Sequence, residues 1–586
     1  MNAPLKTSLD FRNTNSLWGS VLVETLHRLG LHHAVISPGS RSTPLTMAFA
    51  RHPGIESIPV LDERSAAFFA VGLAKRTQRP VVLLCTSGTA GANYFPAVIE
   101  AQESSVPLLV ITADRPPEMR ECRSGQTIDQ QKLYGSHVNF QHELAVPVAS
   151  LPMLRYLRQT VAHAWARAQW PAAGPVHLNA PFRDPLPPVA NDSTRLLKSA
   201  LREDLFFAQV QPLRRMLDPV ERMDFPVTKR GLIVAGPAEE GFSPVDIGIL
   251  ASLAKDLGWP VLADGLSGLR GDAAHFPNLV TRYDAIVRSP KVGQRLKPDV
   301  VLCIGSWPTS KALRDWMEKC TPAVWLVTTR TQNLDALHLA TRHVRGGLRA
   351  LGMGVVATGR GPARYAESWR RAETAAKRCF EEALAGVHKN FEGLAVVNLA
   401  KHLPALTPFF VANSMPVRDV EYFCPANDRA HQIYSNRGAN GIDGTLSTAL
   451  GMAHGNPRPA VLLTGDLALL HDTNGFLIGR KFRGSLTIVL INNRGGGIFE
   501  HLPVAQFNPP FEEYFATPQE ADFRKLCATY GVAHVPVRDW KHFAGLVAKL
   551  PKKGIRVLEV RTDRKRDAAF RKKLFRDAAH AVAQAG

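Results

Sequence analysis

Residues 459–497 read PAVLLTGDLALLHDTNGFLIGRKFRGSLTIVLINNRGGG, and this stretch decides the fold. Pro459 to Leu463 is an apolar strand that ends in the Gly465-Asp466 turn. Leu469 to Phe482 follows as a helix-like run, and Ser485 to Ile491 is a second apolar strand. It ends in Asn492-Asn493-Arg494 and three glycines. A strand–helix–strand unit carries Asp466 and Asn493 to the carboxyl edge of one parallel sheet, where open α/β sheets bind ligands. One carboxylate, one amide oxygen and a backbone carbonyl suit a hard cation such as Mg²⁺, which takes its other oxygens from water and phosphate. The glycines, Gly465 and Gly495 among them, allow close approach of the chain to that phosphate. The stretch reads as a metal–diphosphate anchor, and equally as an ordinary strand–helix–strand unit with an Asp-capped helix.

The remainder of the chain decides between them. Its 586 residues correspond to roughly three to four domains. With 45% hydrophobic and 21% charged residues, it has the composition of an ordinary globular protein. The net charge of +20 fits nucleic acid, an anionic membrane surface or anionic small molecules. Its one dense basic run, Arg561 to Arg576, is interrupted by Asp563 and Asp567 and reads as a solvated helical tail. The seven cysteines include no Cys-x-x-Cys pair, as expected of reduced thiols in a cytoplasm rather than of disulfides or a zinc site. Met1 to Phe11 lacks an apolar signal region, and the apolar runs fall far short of the ~20 residues of a membrane helix. A cytoplasmic protein is expected.

Short apolar runs alternate with longer amphipathic ones along the whole chain. His33 to Ser37, Ile55 to Val60, Val81 to Cys85 and Leu108 to Thr112 read as strands, with a helix from Glu63 to Arg76. Pro181 to Pro188 looks like the exit from this first domain. Gly231 to Ala235, Pro260 to Ala263, Val300 to Ile304 and Ala323 to Val327 repeat the theme, without a Gly-x-Gly-x-x-Gly dinucleotide fingerprint. Residues 340–390 read as connector plus helix. Phe409 to Ala412, the two strands of the opening stretch and Ile555 to Val560 form the last set. The fold class is therefore α/β, with three tandem doubly wound parallel-sheet domains, at 1–190, 205–360 and 375–586.

Three such units with Gly-Asp and Asn-Asn in the last resemble the thiamine-diphosphate enzymes. The resemblance makes residues 375–586 the diphosphate and metal domain, with Asp466, Asn493 and the Gly495 carbonyl on Mg²⁺ or Mn²⁺. It makes 1–190 the pyrimidine domain. That domain must present a carboxylate to N1′ of the aminopyrimidine, and Glu63 in Leu61-Asp62-Glu63-Arg64 follows a strand and opens a helix at the sheet edge. A dry cleft favours a carboxyl that shares a proton. The same residues also read as a plain helix start, with Asp62 as N-cap and Glu63 complementing the macrodipole.

Further motifs narrow the resemblance. Ser37-Pro-Gly-Ser-Arg-Ser-Thr-Pro44, Cys85-Thr-Ser-Gly-Thr-Ala90, Thr112-Ala-Asp-Arg-Pro-Pro-Glu118, Gly125-Gln-Thr-Ile-Asp-Gln130 and Asn436-Arg-Gly-Ala-Asn-Gly-Ile-Asp-Gly444 are similar to those of the menaquinone-pathway synthases of this family. Those enzymes decarboxylate 2-oxoglutarate and add the remaining four-carbon unit to isochorismate in a 1,4 fashion. Both substrates are dicarboxylates, so the resemblance implies a cationic cleft, because arginine binds carboxylate bidentately. It implies substrate contacts at Ser40, Arg41, Arg115 and Gln126 in the first domain, and at Ser414, Arg418 and Arg437 in the last. Lys311 is the matching lysine of the middle domain. The basic residue that follows it in some relatives is Ala312 here, with Arg314 nearby. Ile498 and Phe499 match the apolar side of the pocket. Ile442 matches the residue that wedges thiamine into its bent form, and Asn93 faces the cofactor. His471 is a structural residue of the spacer.

Because Glu63 and the anchor lie in different domains, the family precedent is a homodimer, or a homotetramer, with active sites at subunit interfaces. Neither nucleic-acid binding nor membrane insertion is expected. Two other readings stay open: another thiamine-diphosphate 2-oxo acid enzyme of the acetolactate-synthase type, and a basic nucleic-acid-binding protein.

Overall fold

The computed structural model describes residues 9–212, 229–237, 241–354, 359–387 and 389–585. It divides into two compact units. The first comprises 1–217 with 438–454 and 472–483; the second comprises 218–437 with 455–471 and 484–586. Each is built on six-stranded, wholly parallel sheets, one in the first unit and two in the second.

The sheet of the first unit holds β1 (His33–Ile36), β2 (Glu56–Pro59), β3 (Val81–Cys85), β4 (Leu108–Asp114), β5 (Phe140–Glu143) and β6 (Pro175–Pro181), in the order β2-β1-β3-β4-β6-β5. Its central strands are buried along their full length, as strands covered by helices on both faces must be. The helix Glu63–Thr77 starts where the Asp62 carboxylate accepts the Ser65 N–H, and it stops at left-handed Gln78. It packs against the helix Thr445–Ala453 through glycines. A Cβ on Gly72 would lie 2.0 Å from the Thr448 carbonyl oxygen, and one on Gly451 2.0 Å from that of Phe69. Buried Glu100 accepts the Gly438 and Ala439 N–H groups at 3.1 and 2.8 Å and so pins the chain ahead of Ile442. Asn474 donates to Asp62 at 2.7 Å.

The second unit carries β7 (Gly231–Ala235), β8 (Val261–Ala263), β9 (Leu279–Val280), β10 (Val300–Ile304), β11 (Ala323–Thr328) and β12 (Ala340–Arg345), ordered β12-β11-β10-β7-β8-β9. Its other sheet holds β13 (Pro408–Val411), β14 (Gln432–Tyr434), β15 (Ala460–Gly465), β16 (Ser485–Asn492), β17 (Ala533–Pro536) and β18 (Gly554–Arg561), ordered β14-β13-β15-β16-β18-β17. The helix Ala363–Ala385 serves both cores, Tyr365 and Trp369 joining the first and Phe380 the second.

Three expectations need correction. Residues 340–345 form an edge strand rather than a connector. The helix after Gly465 is Asp466–His471 only; a 3₁₀ segment, Thr473–Lys481, follows and is broken at Gly479. The basic helix Arg564–Gln584 is no solvated tail, since Asp567, Arg571, Leu574 and Phe575 are buried. No helix among the described residues is long and apolar enough to cross a membrane.

Candidate active site

In the second unit, β15 and β16 run side by side, with Gly465 opposite Ile491, so the residues that follow them emerge at one sheet edge. Asp466 opens its helix and is 5% exposed. Its Oδ2 accepts the Gly495 N–H at 2.9 Å and its Oδ1 the Leu467 N–H at 2.8 Å. Burial pushes its pKa up to about 6, against the pull of these backbone donors. Asn493 is also buried. Its Nδ2 donates to Glu392 Oε2 at 3.1 Å, while its Oδ1 has no hydrogen-bond partner. Gly495 has φ +127°, and a Cβ there would lie 2.3 Å from the Ala516 carbonyl oxygen. The Gly495 carbonyl accepts the Gly497 N–H at 2.9 Å and keeps a second lone pair.

These groups fit a hard cation. A desolvated carboxylate wants a positive partner, and an orphaned amide oxygen in a buried site asks for a donor or a metal.

The loops of the same unit carry further expected residues. Ser414 sits at φ +69°, a strained value for a residue with a side chain, and its carbonyl accepts Arg418 Nη1 at 2.7 Å. Burial lowers the Arg418 pKa, and the charge of Arg314 lowers it further. Arg437 donates to Asn413 Oδ1 at 2.8 Å, and Asn413 Nδ2 donates to the Asn436 carbonyl at 2.6 Å. Ile498 and Phe499 are half-buried in the 3₁₀ turn Gly497–His501, with Phe499 edge-on to Phe515. Lys311 is 81% exposed and pairs with Asp315 at 2.9 Å, one helical turn on.

The first unit brings Arg41, Arg115 and Gln126 together around Ser87 and its neighbour Thr86. The Arg41 N–H donates to Thr86 Oγ1 at 3.2 Å, and its Nη1 to the Phe182 carbonyl at 2.9 Å. Arg115 Nη1 lies 3.4 Å from Ser87 Oγ, and Gln126 Nε2 donates to the Ser87 carbonyl at 3.0 Å. Burial and the Arg115 charge lower the Arg41 pKa. The Nε atoms of both arginines are buried without a partner, two donors aimed at nothing in the chain. Ser40 is exposed on the preceding turn, and Asn93 is exposed at the end of the short helix Thr89–Asn93. Glu63 is half-buried at its helix start; burial raises the pKa of Cys85, the last residue of β3, and of Tyr94, and the Glu63 charge raises each further. Ile442 is half-buried just ahead of the helix Thr445–Ala453.

Comparison with known proteins settles the kinship. Residues 18–133 match the thiamine pyrophosphate enzyme N-terminal TPP binding domain, 193–411 the middle domain and 418–560 the C-terminal TPP binding domain. The chain is 50% identical over 584 residues to the 2-succinyl-5-enolpyruvyl-6-hydroxy-3-cyclohexene-1-carboxylate synthase of Rippkaea orientalis, covering 98% of each chain. It is 53% identical over 569 residues to the synthase of the same name from Trichormus variabilis, covering 96% of this chain and 97% of that one. The chain belongs to this synthase family. Its cofactor is thiamine diphosphate with a divalent metal, typically Mg²⁺. The solved structure of benzoylformate decarboxylase from Polynucleobacter necessarius shares the fold, with TM-score 0.64 at 16% identity over 93% of this chain and 98% of that one. The nucleic-acid reading finds no place in this kinship.

The sequence alone did not mark several groups that hold the candidate residues in place. Asn413 joins Arg437 to the Asn436 backbone. Gln130 is buried and accepts the Gly88 N–H at 2.9 Å, which fixes the loop under Arg115 and Gln126. Glu392 holds Asn493. The motif Gly125-Gln-Thr-Ile-Asp-Gln130 contained Gln130 in plain view; nothing local marked Glu392.

Proposed function

We propose that the chain makes 2-succinyl-5-enolpyruvyl-6-hydroxy-3-cyclohexene-1-carboxylate from 2-oxoglutarate and isochorismate, as a carbon–carbon bond-forming transferase of menaquinone or phylloquinone biosynthesis. The observation that carries the site is the pairing of buried Asp466 with the unpartnered Asn493 Oδ1 at adjacent strand ends. Asp466, Asn493 and the Gly495 carbonyl would ligate Mg²⁺, with Gly465 leaving room for the diphosphate. Bound thiamine diphosphate supplies the nucleophilic carbon and the electron sink for decarboxylation. Glu63 would hold a proton shared with N1′ of the aminopyrimidine, while Ile442 and Asn93 would contact the cofactor.

Arg41, Arg115, Arg418 and Arg437 offer guanidinium groups to the carboxylates of the two substrates, with Ser40, Gln126 and Ser414 as polar contacts. Fixing both substrates lowers the entropic cost of their meeting. Ile498 and Phe499 would exclude water, which otherwise diverts the four-carbon unit to free succinic semialdehyde. Lys311, freed from Asp315, would reach the same carboxylates. We assign the pyrimidine role to residues 1–190, a central role to 205–360 and the diphosphate role to 375–586.

We further propose a homodimer or homotetramer with interfacial sites, to be measured by sedimentation, and a cytoplasmic location, which suits its free cysteines and is testable by fractionation. The deciding assay is product analysis with 2-oxoglutarate, isochorismate, thiamine diphosphate and Mg²⁺. Carbon dioxide release from 2-oxoglutarate and not from pyruvate is expected. Turnover of pyruvate instead would favour an acetolactate-type enzyme.

A further inference from the structure

The orphaned oxygen of Asn493 has an orienting device behind it. Asn493 Nδ2 donates to Glu392 Oε2 at 3.1 Å. A carboxylate only accepts, so it draws the amide nitrogen and turns the amide oxygen away. Glu392 is itself held from two sides. Arg571 Nη2 lies 2.7 Å from its Oε1, and the Glu392 N–H donates to Asp567 Oδ2 at 3.1 Å. Arg571 is fixed in turn by Asp419, with Nε and Nη2 at 3.0 and 2.5 Å from Oδ1, and its guanidinium lies over Phe391 at 5.1 Å. Glu392, Arg571, Asp419 and Asp567 are at most 2% exposed.

Such buried ion clusters seldom out-stabilise well-packed apolar side chains, so stability alone is a weak reason for this one. Its place against Asn493 supplies a better one. One guanidinium is shared between two buried carboxylates, so Asp419 fixes Arg571 from one side while Arg571 holds Glu392 on the other, behind Asn493.

We propose that Glu392, clamped by Arg571, is a positioning residue: it locks the Asn493 amide with its oxygen toward the cation and so sets metal affinity. The proposal rests on the reading of Asn493 as a metal ligand. By analogy with other groups that orient metal ligands, its loss weakens metal binding about 10–100-fold.

The test is Mg²⁺ titration of the full chain in excess thiamine diphosphate, followed by calorimetry, with Mn²⁺ electron paramagnetic resonance as a second readout. In Glu392→Gln, Arg571 keeps Asp419 and the backbone bond to Asp567 is untouched, so folding is retained. The Mg²⁺ midpoint should rise about 10–100-fold, the sharp Mn²⁺ sextet of the free ion should persist to correspondingly higher protein concentration, and KM for 2-oxoglutarate at saturating metal should stay within about threefold. A folded Glu392→Gln with a midpoint within about twofold of the parent overturns the proposal. If that variant does not fold, Arg571→Lys carries the same test, since it frees the Glu392 carboxylate to rotate. Asn493→Ala and Asp466→Ala separate the two levels. If they leave metal binding unchanged, the ligand reading itself fails. If they weaken it while Glu392→Gln does not, only the positioning role fails.

Discussion

Gly495→Ala is the sharpest perturbation of the anchor. At φ +127° an alanine is strained, at about 1–3 kcal/mol. Its Cβ would meet the Ala516 carbonyl oxygen at 2.3 Å, and that oxygen already accepts the Gly496 N–H at 2.7 Å. The turn must therefore move, and the Gly495 N–H leaves Asp466 Oδ2, a charge-assisted bond of about 1.5–3 kcal/mol. Together these give about 2.5–6 kcal/mol, or roughly two to four orders of magnitude in cofactor and metal affinity at about 1.4 kcal/mol per decade. Calorimetric titration of thiamine diphosphate into the Mg²⁺-loaded chain measures it. Gly465→Ala is the control, because its Cβ would meet nothing within 4 Å. The cofactor-free melting temperature should then hold, while cofactor binding weakens only if the diphosphate passes that position. A Gly495→Ala protein that binds within threefold of the parent would refute the anchor geometry.

Glu63→Gln should keep the helix, which Asp62 caps, and should bind cofactor while kcat falls about 10²–10⁴-fold; carbon dioxide release from 2-oxoglutarate reports it. Arg571→Met leaves buried Asp419 and Glu392 without their cation and should cost about 3–5 kcal/mol, read as a lower cofactor-free melting temperature. Burial pushes the Asp472 pKa up to about 7, against the pull of the Ser447 donors. An unfolded aspartate titrates near ~3.9. Between those values the folded chain holds more protons, so this contribution to stability is full at the acid end and is lost as pH rises through about 7. Asp472→Asn should flatten that part of the melting-temperature profile, and an unchanged slope would exclude Asp472 as its source.

Most strands legible in the sequence are buried along nearly their whole length, such as Val81–Cys85 and Ser485–Asn492, because a covered parallel strand is one continuous apolar run; the edge strand Glu56–Pro59, with one buried residue, was legible too. The unforeseen ones mostly lie on edges and mix in polar residues: Phe140–Glu143, Ala340–Arg345, Gln432–Tyr434 and Ala533–Pro536. Pro175–Pro181 is buried throughout yet was hidden by His177 and Asn179. Both pair with Thr112, at 2.8 Å each, so their polarity is met by a neighbouring strand that no local reading supplies. The helix after Gly465 ends early because Asp472 turns to accept the Ser447 N–H and hydroxyl, and Gly479 then breaks the segment that follows.

The same division runs through the candidate site. Asp466, Asn493 and Glu63 are legible because each stands where a strand gives way to a loop or helix, and the residue type there states its chemistry. What turns those groups to face a ligand comes from far along the chain. Glu392 lies 101 positions from the Asn493 it orients, and Arg571 152 positions from Asp419. Arg571 sits in a run of basic residues where its neighbours are solvated, so its charge pattern looks like that of a surface helix. Only the packed structure distinguishes it, by setting it under Phe391 between two carboxylates. Ligand identity is thus a local property of strand ends. Ligand orientation is a property of the assembled core, which is why a substitution in the C-terminal helix is expected to be felt at the metal.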